Sequence, residues 1–225
     1  NINAILTITG SDSTGGSGVQ ADINTISALG GCAVSAITSI TMQNTLGIQK
    51  FYDLPAEIVA GQIEAIVNDV QPAVIKIGLL RSVAVIDVIV DVLQRYKPRY
   101  VVYDPIFVSS KGEKLVGDNV VNEIRRRLLP LCTIVVEQQM AHHGQNNAYS
   151  SAIAYYLSQD KPIDEALENA KAYVNSRKPM LDRLYDRSSV LYSDFINNVE
   201  KHFFTNSDVA YYADVLNVSP RYLAQ

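Results

Sequence analysis

Apolar runs and polar breaks alternate with a regular rhythm over the first 136 residues. Residues 4–8 form a short apolar run that stops at Gly10, which predicts a strand. Val19, Ile23, Ile26 and Leu29 then recur at helical spacing, which predicts a helix over 18–29. Residues 34–40 are rich in β-formers and read as a second strand ending at MQNTLG. Pro55 suits the first turn of a helix over 55–70. A strand over 73–77 ends at Gly78, a helix follows over 83–96, and a strand over 100–103 closes on Asp104-Pro105. A helix over 118–129 is stopped by Pro130, and 132–136 reads as one more strand. Strands and helices in this order predict a parallel sheet covered on both faces, with ligands at the carboxyl ends of the strands.

After Val136 the rhythm changes. AHHGQNN leads into a helix over about 147–158, and a second helix covers 163–176. The stretch KPMLDRLYDRSS, with Pro179 and mixed charges, reads as a linker. The remainder has a helical pattern, with Ser207 and Ser219 as candidate N-caps. The predicted division is a domain over 1–176, a linker over 177–188 and a helical segment over 189–225.

Composition narrows the class. A chain of 225 residues with 48% hydrophobic and 19% charged residues has enough apolar side chains for one sizeable α/β domain with a small appendage. The net charge of −4 gives no general attraction to nucleic acid or an anionic membrane. No apolar run reaches the length of a membrane span, and INAILTITG is too short for a signal peptide, so a cytoplasmic protein is expected. Cys32 and Cys132 each sit in an apolar run and are expected as buried free thiols; no Cys/His cluster has zinc spacing.

The polar clusters fall at the predicted strand ends. In GSDSTGGSGVQAD (10–22), Gly15, Gly16 and Gly18 permit a tight backbone path beside a ligand, and Asp12 and Asp22 are acceptors. The same residues also suit a plain glycine-rich turn, and the loop is neither a P-loop nor a full dinucleotide fingerprint. Gln43 and Asn44 have the paired donors and acceptors to read a heterocycle edge, or they form a polar turn. Asp104, fixed before Pro105, suits Mg²⁺ or a metal-bound phosphate, and equally an ordinary turn. Ser109, Ser110, Lys111 and Gly112 suit a phosphate or a solvated loop. His142 and His143 read as surface loop histidines.

NAILTITGSDSTGGSGVQADINTISALG, MQNTLG, KIGLL and VVYDPIFVSSKGEKL together resemble the hydroxymethylpyrimidine and phosphomethylpyrimidine kinase family of thiamine biosynthesis. The resemblance covers about 3–136 and resumes over about 142–176. It implies a ribokinase-like fold, a three-layer α/β/α sandwich with a mainly parallel sheet. It also implies transfer of the ATP γ-phosphate, with Mg²⁺, to the hydroxymethyl group of a pyrimidine or to its monophosphate. Position by position, it makes Gly10, Asp22, Gln43, Leu79 and Ile106 pyrimidine contacts and links Asp104 to Mg²⁺ and phosphate.

The catalytic loop departs from the pattern. The resemblance sets HHGQNNAYSSAIA against a loop reading roughly T-H-G-T-G-C: Gly144 matches the first glycine, Asn146 replaces the second, and Asn147 replaces the cysteine. That position and its amides form the family's anion hole, and the side chain assists deprotonation. An amide does not take a proton usefully at neutral pH. The free N–H groups and dipole of a helix start still favour an anion. The family also carries a long segment with an Asn-x-x-Glu motif for Mg²⁺ where this chain has only VEQQMA. Either the protein lacks that segment or the present sequence skips it.

DFINNVEKHFFTNSDVAYYADVLNVSPRYLAQ resembles the first helix-turn-helix unit of AraC-type transcription regulators. Ala210, Ala213, Leu216, Val218 and Leu223 fall at its core spacing, and Arg221 and Tyr222 would lie near DNA. Four basic against six acidic residues over 181–225 give a net −2, poor for phosphate contacts, and a small packing or dimerisation appendage fits as well.

Together these features predict a sensor that binds hydroxymethylpyrimidine or its phosphate, with weakened or lost kinase activity, controlling a fused DNA-binding unit. The alternative is an active kinase using ATP and Mg²⁺; a sensor alone needs neither. A homodimer is expected.

Overall fold

The computed structural model describes residues 3–44, 47–109, 112–136, 145–176, 191–192, 194–196, 198–202, 205–206 and 208–223. Its contacts divide the chain into two units, 1–178 and 179–225.

The first unit is built on a five-stranded parallel sheet, ordered β2 (Cys32–Ile37), β1 (Ala4–Thr9), β5 (Val74–Ile77), β6 (Tyr100–Tyr103) and β7 (Ile134–Val135). β1 and β5 are buried along their whole length, which is why their sequences run apolar instead of alternating. Successive side chains still point to opposite faces. Leu6, Ile8, Ile75, Ile77, Val101 and Tyr103 share one core cluster with α2 (Ala56–Asp69), α3 (Val83–Tyr96) and α4 (Asp118–Glu123). Ile5, Val74 and Val102 share another with α1 (Gly18–Ala28), α5 (Gln145–Ser158) and α6 (Ile163–Ser176). The result is a ribokinase-like α/β/α sandwich, as the sequence predicts.

The strand expected over 34–40 is two elements. β2 ends at Ile37, and Thr38 is pinned by its N–H to the Thr9 carbonyl (2.9 Å) and by its hydroxyl to the Leu79 carbonyl (3.1 Å). The chain then leaves the sheet as a separate antiparallel hairpin, β3 (Ser39–Asn44) and β4 (Gly47–Asp53), with an irregularity between Met42 and Gln43. Met42, Gln43, Asn44 and Gly47 of MQNTLG therefore belong to this hairpin and do not end a strand of the main sheet; residues 45 and 46 lie outside the described residues. The helix expected over 118–129 stays α-helical only to Glu123. Pro130 has no N–H to continue the ladder. The chain widens to a π turn over Ile124–Leu128, where Leu129 N–H donates to the Ile124 carbonyl, and then tightens to a 3₁₀ turn, Leu129–Leu131, that contains Pro130. Cys32 is exposed at the start of β2 and Cys132 is half-buried, so the expectation of two buried thiols fails for Cys32.

In the second unit, residues 191–192, 194–196 and 198–202 are helical, followed by helices Val209–Val215 and Pro220–Leu223. The N-cap of the Val209–Val215 helix is Asp208, whose carboxylate accepts from Ala210 N–H at 3.0 Å; Ser207 lies outside the described residues. Tyr212 and Ala213 are buried, with the Tyr212 ring edge-on to Phe195 and its hydroxyl donating to the Asn206 carbonyl at 2.7 Å. The intervening turn places Asn217 at φ 52°, a left-handed conformation that Asn tolerates better than most residues.

Candidate functional site at the carboxyl ends of β1, β5 and β6

The loop between β1 and α1 is held by its own side chains. Asp12 is buried and accepts from the N–H and hydroxyl of both Thr14 and Ser17, each at 2.8 Å. Its backbone N–H donates to Gln20 Oε1 at 2.8 Å. Asp12 thus acts as the staple of the loop, the turn-forming alternative to a ligand acceptor. Gly18 sits at φ +60°, and a Cβ there would come within 2.4 Å of the Gly10 carbonyl, so this position requires glycine. Ser11 and Ser13 run beside β3: Ser11 N–H donates to the Ser39 carbonyl (2.8 Å), Thr41 hydroxyl to the Ser11 carbonyl (2.8 Å), and Ser13 hydroxyl to the Gln43 carbonyl (2.7 Å). The hairpin is thereby laced to the loop, which brings Gln43 alongside it.

Gly10 lies between the hairpin and β5. A Cβ on it would stand 2.7 Å from Ser39 Oγ and 3.6 Å from Leu79 Cδ2. Leu79 is buried, and Ile106 is half-buried against the same core cluster. Gly10, Leu79 and the hairpin thus meet at one end of the sheet.

The β alternation that packs Ile5, Val74 and Val102 under α1 and α5 also points Thr7, Lys76 and Asp104 to that face. There they meet polar side chains of α1 and α5. Asp22 of α1, fully buried, accepts from Thr7 Oγ1 (2.5 Å), Lys76 Nζ (2.5 Å), Ser151 Oγ (2.8 Å) and Asn147 Nδ2 (3.4 Å). Lys76 is also fully buried. Asp104, fully buried, accepts from Ser150 Oγ at 2.9 Å through Oδ2, while its Oδ1 has no hydrogen-bond partner. Burial pushes the Asp104 carboxyl above the usual carboxylate range, and the charge of Asp22 adds to this; Lys76 and the Ser150 hydrogen bond oppose it.

The structure therefore gathers Asp22, Asp104 and Asn147, named from the sequence, into one buried cluster. Asn146 is half-buried at the start of α5, with its Oδ1 buried and unpartnered. Gly144, His142, His143, Ser110 and Lys111 lie outside the described residues. Arg221 is exposed on the last helix; the side chain of Tyr222 is outside the described set. Lys76, Thr7, Ser150 and Ser151 were not foreseen. A signal existed for Lys76, because a lysine inside AVIKIG must be paired if that strand is buried.

Chemically, the cluster presents one unpartnered carboxylate oxygen near the first turn of a 14-residue helix. Among the described residues, no group of three or more His, Cys, Asp or Glu is arranged to hold a metal by itself. A single carboxylate with an open lone pair does fit Mg²⁺ shared with a ligand's phosphates, the usual mode for that ion. Asn147 has no basic atom, and its Nδ2 donates to Asp22 Oδ1 at 3.4 Å.

A ribokinase-like sandwich with a glycine-rich first loop and a helix start facing the strand ends defines a class of small-molecule kinase folds. The family profile "Phosphomethylpyrimidine kinase" matches residues 12–140, and the chain belongs to that family. It is 42% identical over 132 residues to the hydroxymethylpyrimidine/phosphomethylpyrimidine kinase of Mycobacterium leprae, covering 58% of this chain and 47% of that protein. It is 39% identical over 134 residues to the Escherichia coli enzyme of the same description, covering 60% and 50%. The chain thus spans about half the length of the curated relatives it matches. Among solved structures, phosphomethylpyrimidine kinase from Clostridium difficile is similar at a TM-score of 0.70 and 30% identity, covering 77% of this chain and 98% of that one. A Staphylococcus aureus pyridoxal kinase in complex with ADP is similar in fold, with a TM-score of 0.69 at 23% identity, covering 78% and 88%.

Proposed function

We propose that the first unit binds hydroxymethylpyrimidine or its phosphate and has weakened phosphotransfer, so that it serves as a sensor for the helical tail. Gly10, Gln43, Leu79 and Ile106 face the ring. Asp104 faces Mg²⁺ and phosphate. The observation that carries this reading is the state of Asn147: it stands at the family's deprotonating position, has no basic atom, and turns an N–H toward Asp22. In the tail, the turn between the Val209–Val215 and Pro220–Leu223 helices, with Asn217 left-handed, supports the helix-turn-helix resemblance, and Arg221 is exposed for a phosphate. Ligand occupancy then sets DNA binding by a dimer of the complete protein.

An active kinase is the second reading, favoured by the family match over 12–140 and by the open Asp104 oxygen. ATP with Mg²⁺ supplies the phosphoryl group in that case. Incubating the complete protein with ATP, Mg²⁺ and hydroxymethylpyrimidine separates the two. Calorimetric binding of the pyrimidine with turnover at least about 10²-fold below ordinary kinase rates supports the sensor. Turnover at ordinary rates overturns it in favour of the kinase, and ligand binding without any change in DNA affinity removes the regulatory role.

A further inference from the structure

We propose that Asp22 and Lys76 are a positioning pair for the phosphate end of the site, and that Asp22 does not touch the ring. The inference rests on the reading of the site given above.

The burial of Asp22 and the donors gathered on it carry the inference. Asp22 has four donors on it, from Thr7 on β1, Lys76 on β5, and Asn147 and Ser151 on α5. Three of these donors converge on Oδ1 and Thr7 alone reaches Oδ2; because the side chain is fully buried, neither oxygen is exposed to a ligand. The two α5 donors are four residues apart, hence stacked on one face of the helix, and both reach the same oxygen, Oδ1. Next to them, Ser150 reaches Asp104 instead. The first two turns of α5 are thus fastened to two carboxylates that stand on different elements. The backbone N–H groups at the start of α5 are the donors an anion would meet, so whatever fixes these turns fixes the anion's partners.

A fully buried ion pair is replaced by apolar side chains at little or no cost in many proteins. What an apolar pair cannot supply is a hydrogen-bonded register between β5 and α5. Lys76 neutralises and orients the carboxylate, and the carboxylate orients the helix.

The test uses the complete protein, with hydroxymethylpyrimidine and its monophosphate as separate calorimetric probes. Two variants are needed: the neutral double substitution Asp22→Asn/Lys76→Met, and Ser151→Ala, which leaves the ion pair in place. The double variant is expected to bind the monophosphate about tenfold more weakly, the scale of one lost charge-assisted hydrogen bond, and the unphosphorylated ring within about twofold of the parent. Ser151→Ala is expected to move the same way by a smaller factor. Equal loss for both ligands overturns the proposal, because it makes Asp22 a ring contact. No change for either ligand also overturns it, because the pair is then only structural. If the parent protein binds neither ligand, the reading of the site itself falls, a result distinct from both.

Discussion

The Ser150 hydroxyl donates to Oδ2 of Asp104 at 2.9 Å across 46 positions of sequence, while Oδ1 of the same carboxylate meets no partner. A buried acceptor without a donor costs about 1–3 kcal/mol. Replacing Asp104 by Asn removes the charge and keeps the acceptor for Ser150. Asp104→Asn is therefore expected to leave the melting temperature unchanged or raise it by a few degrees, while Mg²⁺-dependent ligand binding is lost. Ser150→Ala acts oppositely, leaving the carboxylate with neither bond, and is expected to lower stability by about 1–3 kcal/mol. Thermal melts and calorimetry with and without Mg²⁺ read both effects. A melting temperature that drops sharply in Asp104→Asn contradicts the assignment of Asp104 as a strained, function-bearing group.

Two glycines with positive φ separate backbone strain from steric closure. A Cβ on Gly18 (φ +60°) meets the Gly10 carbonyl at 2.4 Å, whereas one on Gly30 (φ +89°) meets nothing within 4 Å. Gly30→Ala bears only the conformational cost, about 1–2 kcal/mol. Gly18→Ala adds a clash with backbone that cannot swing aside, and so moves the loop that carries Gly10. It is expected to cost more than about 2 kcal/mol and to abolish pyrimidine binding, while Gly30→Ala binds normally. Chemical denaturation and calorimetry of the pair decide this.

The two thiols should behave differently. Cys32 is exposed, whereas burial pushes the Cys132 thiol up to about 12, and its Sγ donates to the Leu128 carbonyl at 3.3 Å. At pH 8 a thiol reagent is expected to label one cysteine quickly, and Cys32→Ser removes that fast phase. The sign of the pH effect follows from linkage. Above its ordinary value of 9.0, Cys132 ionises in the unfolded chain but stays protonated in the folded one. Stability is thus full below pH 9 and is lost as pH rises toward 12. Burial shifts Tyr103 in the same direction. Cys132→Ala is expected to flatten, but not abolish, the alkaline fall in melting temperature between pH 8.5 and 10.5, in a series followed by circular dichroism.

Much of the fold was legible because its signals are local. Apolar runs of strand length, amphipathic helices such as Val83–Tyr96, and Gly10 or Asp104-Pro105 at strand ends all report on their immediate neighbours. The β3–β4 hairpin was missed because the strand signal of 34–40 continues unbroken into it, and the break is made by Thr38 bonding to Thr9 and Leu79, which are remote in sequence. Asp12 shows the same limit from the other side. As a residue type it is an acceptor, and only the fold shows that all four of its bonds to Thr14 and Ser17 are internal. The α5 serines were unreadable for a related reason: Ser150 and Ser151 are adjacent in sequence yet serve different carboxylates.

Asn147 gives the sharpest test of the catalytic argument. Asn146→Gly together with Asn147→Cys restores the resembled loop, returning a thiol and removing a side chain at the helix start. Phosphotransfer to hydroxymethylpyrimidine is expected to rise about 10²-fold, the lower end of what a positioned base contributes. The stability cost is small, because the Asn147–Asp22 bond is long at 3.4 Å. Asn147→Asp is the informative contrast. It also supplies a base, but it sets a second carboxylate against Asp22 Oδ1, which Lys76 and Ser151 already occupy. Like charges in a dry site disfavour ionisation of one of them. Asn147→Asp is therefore expected to lower the melting temperature well below that of the cysteine variant and to gain less activity at pH 7, with the gap narrowing as pH rises. Initial rates of ADP release at several pH values, with melts alongside, measure both. An aspartate variant as stable and as fast as the cysteine variant at pH 7 removes Asp22 from the neighbourhood of the reacting group, and no gain in either variant removes the case that Asn147 limits catalysis.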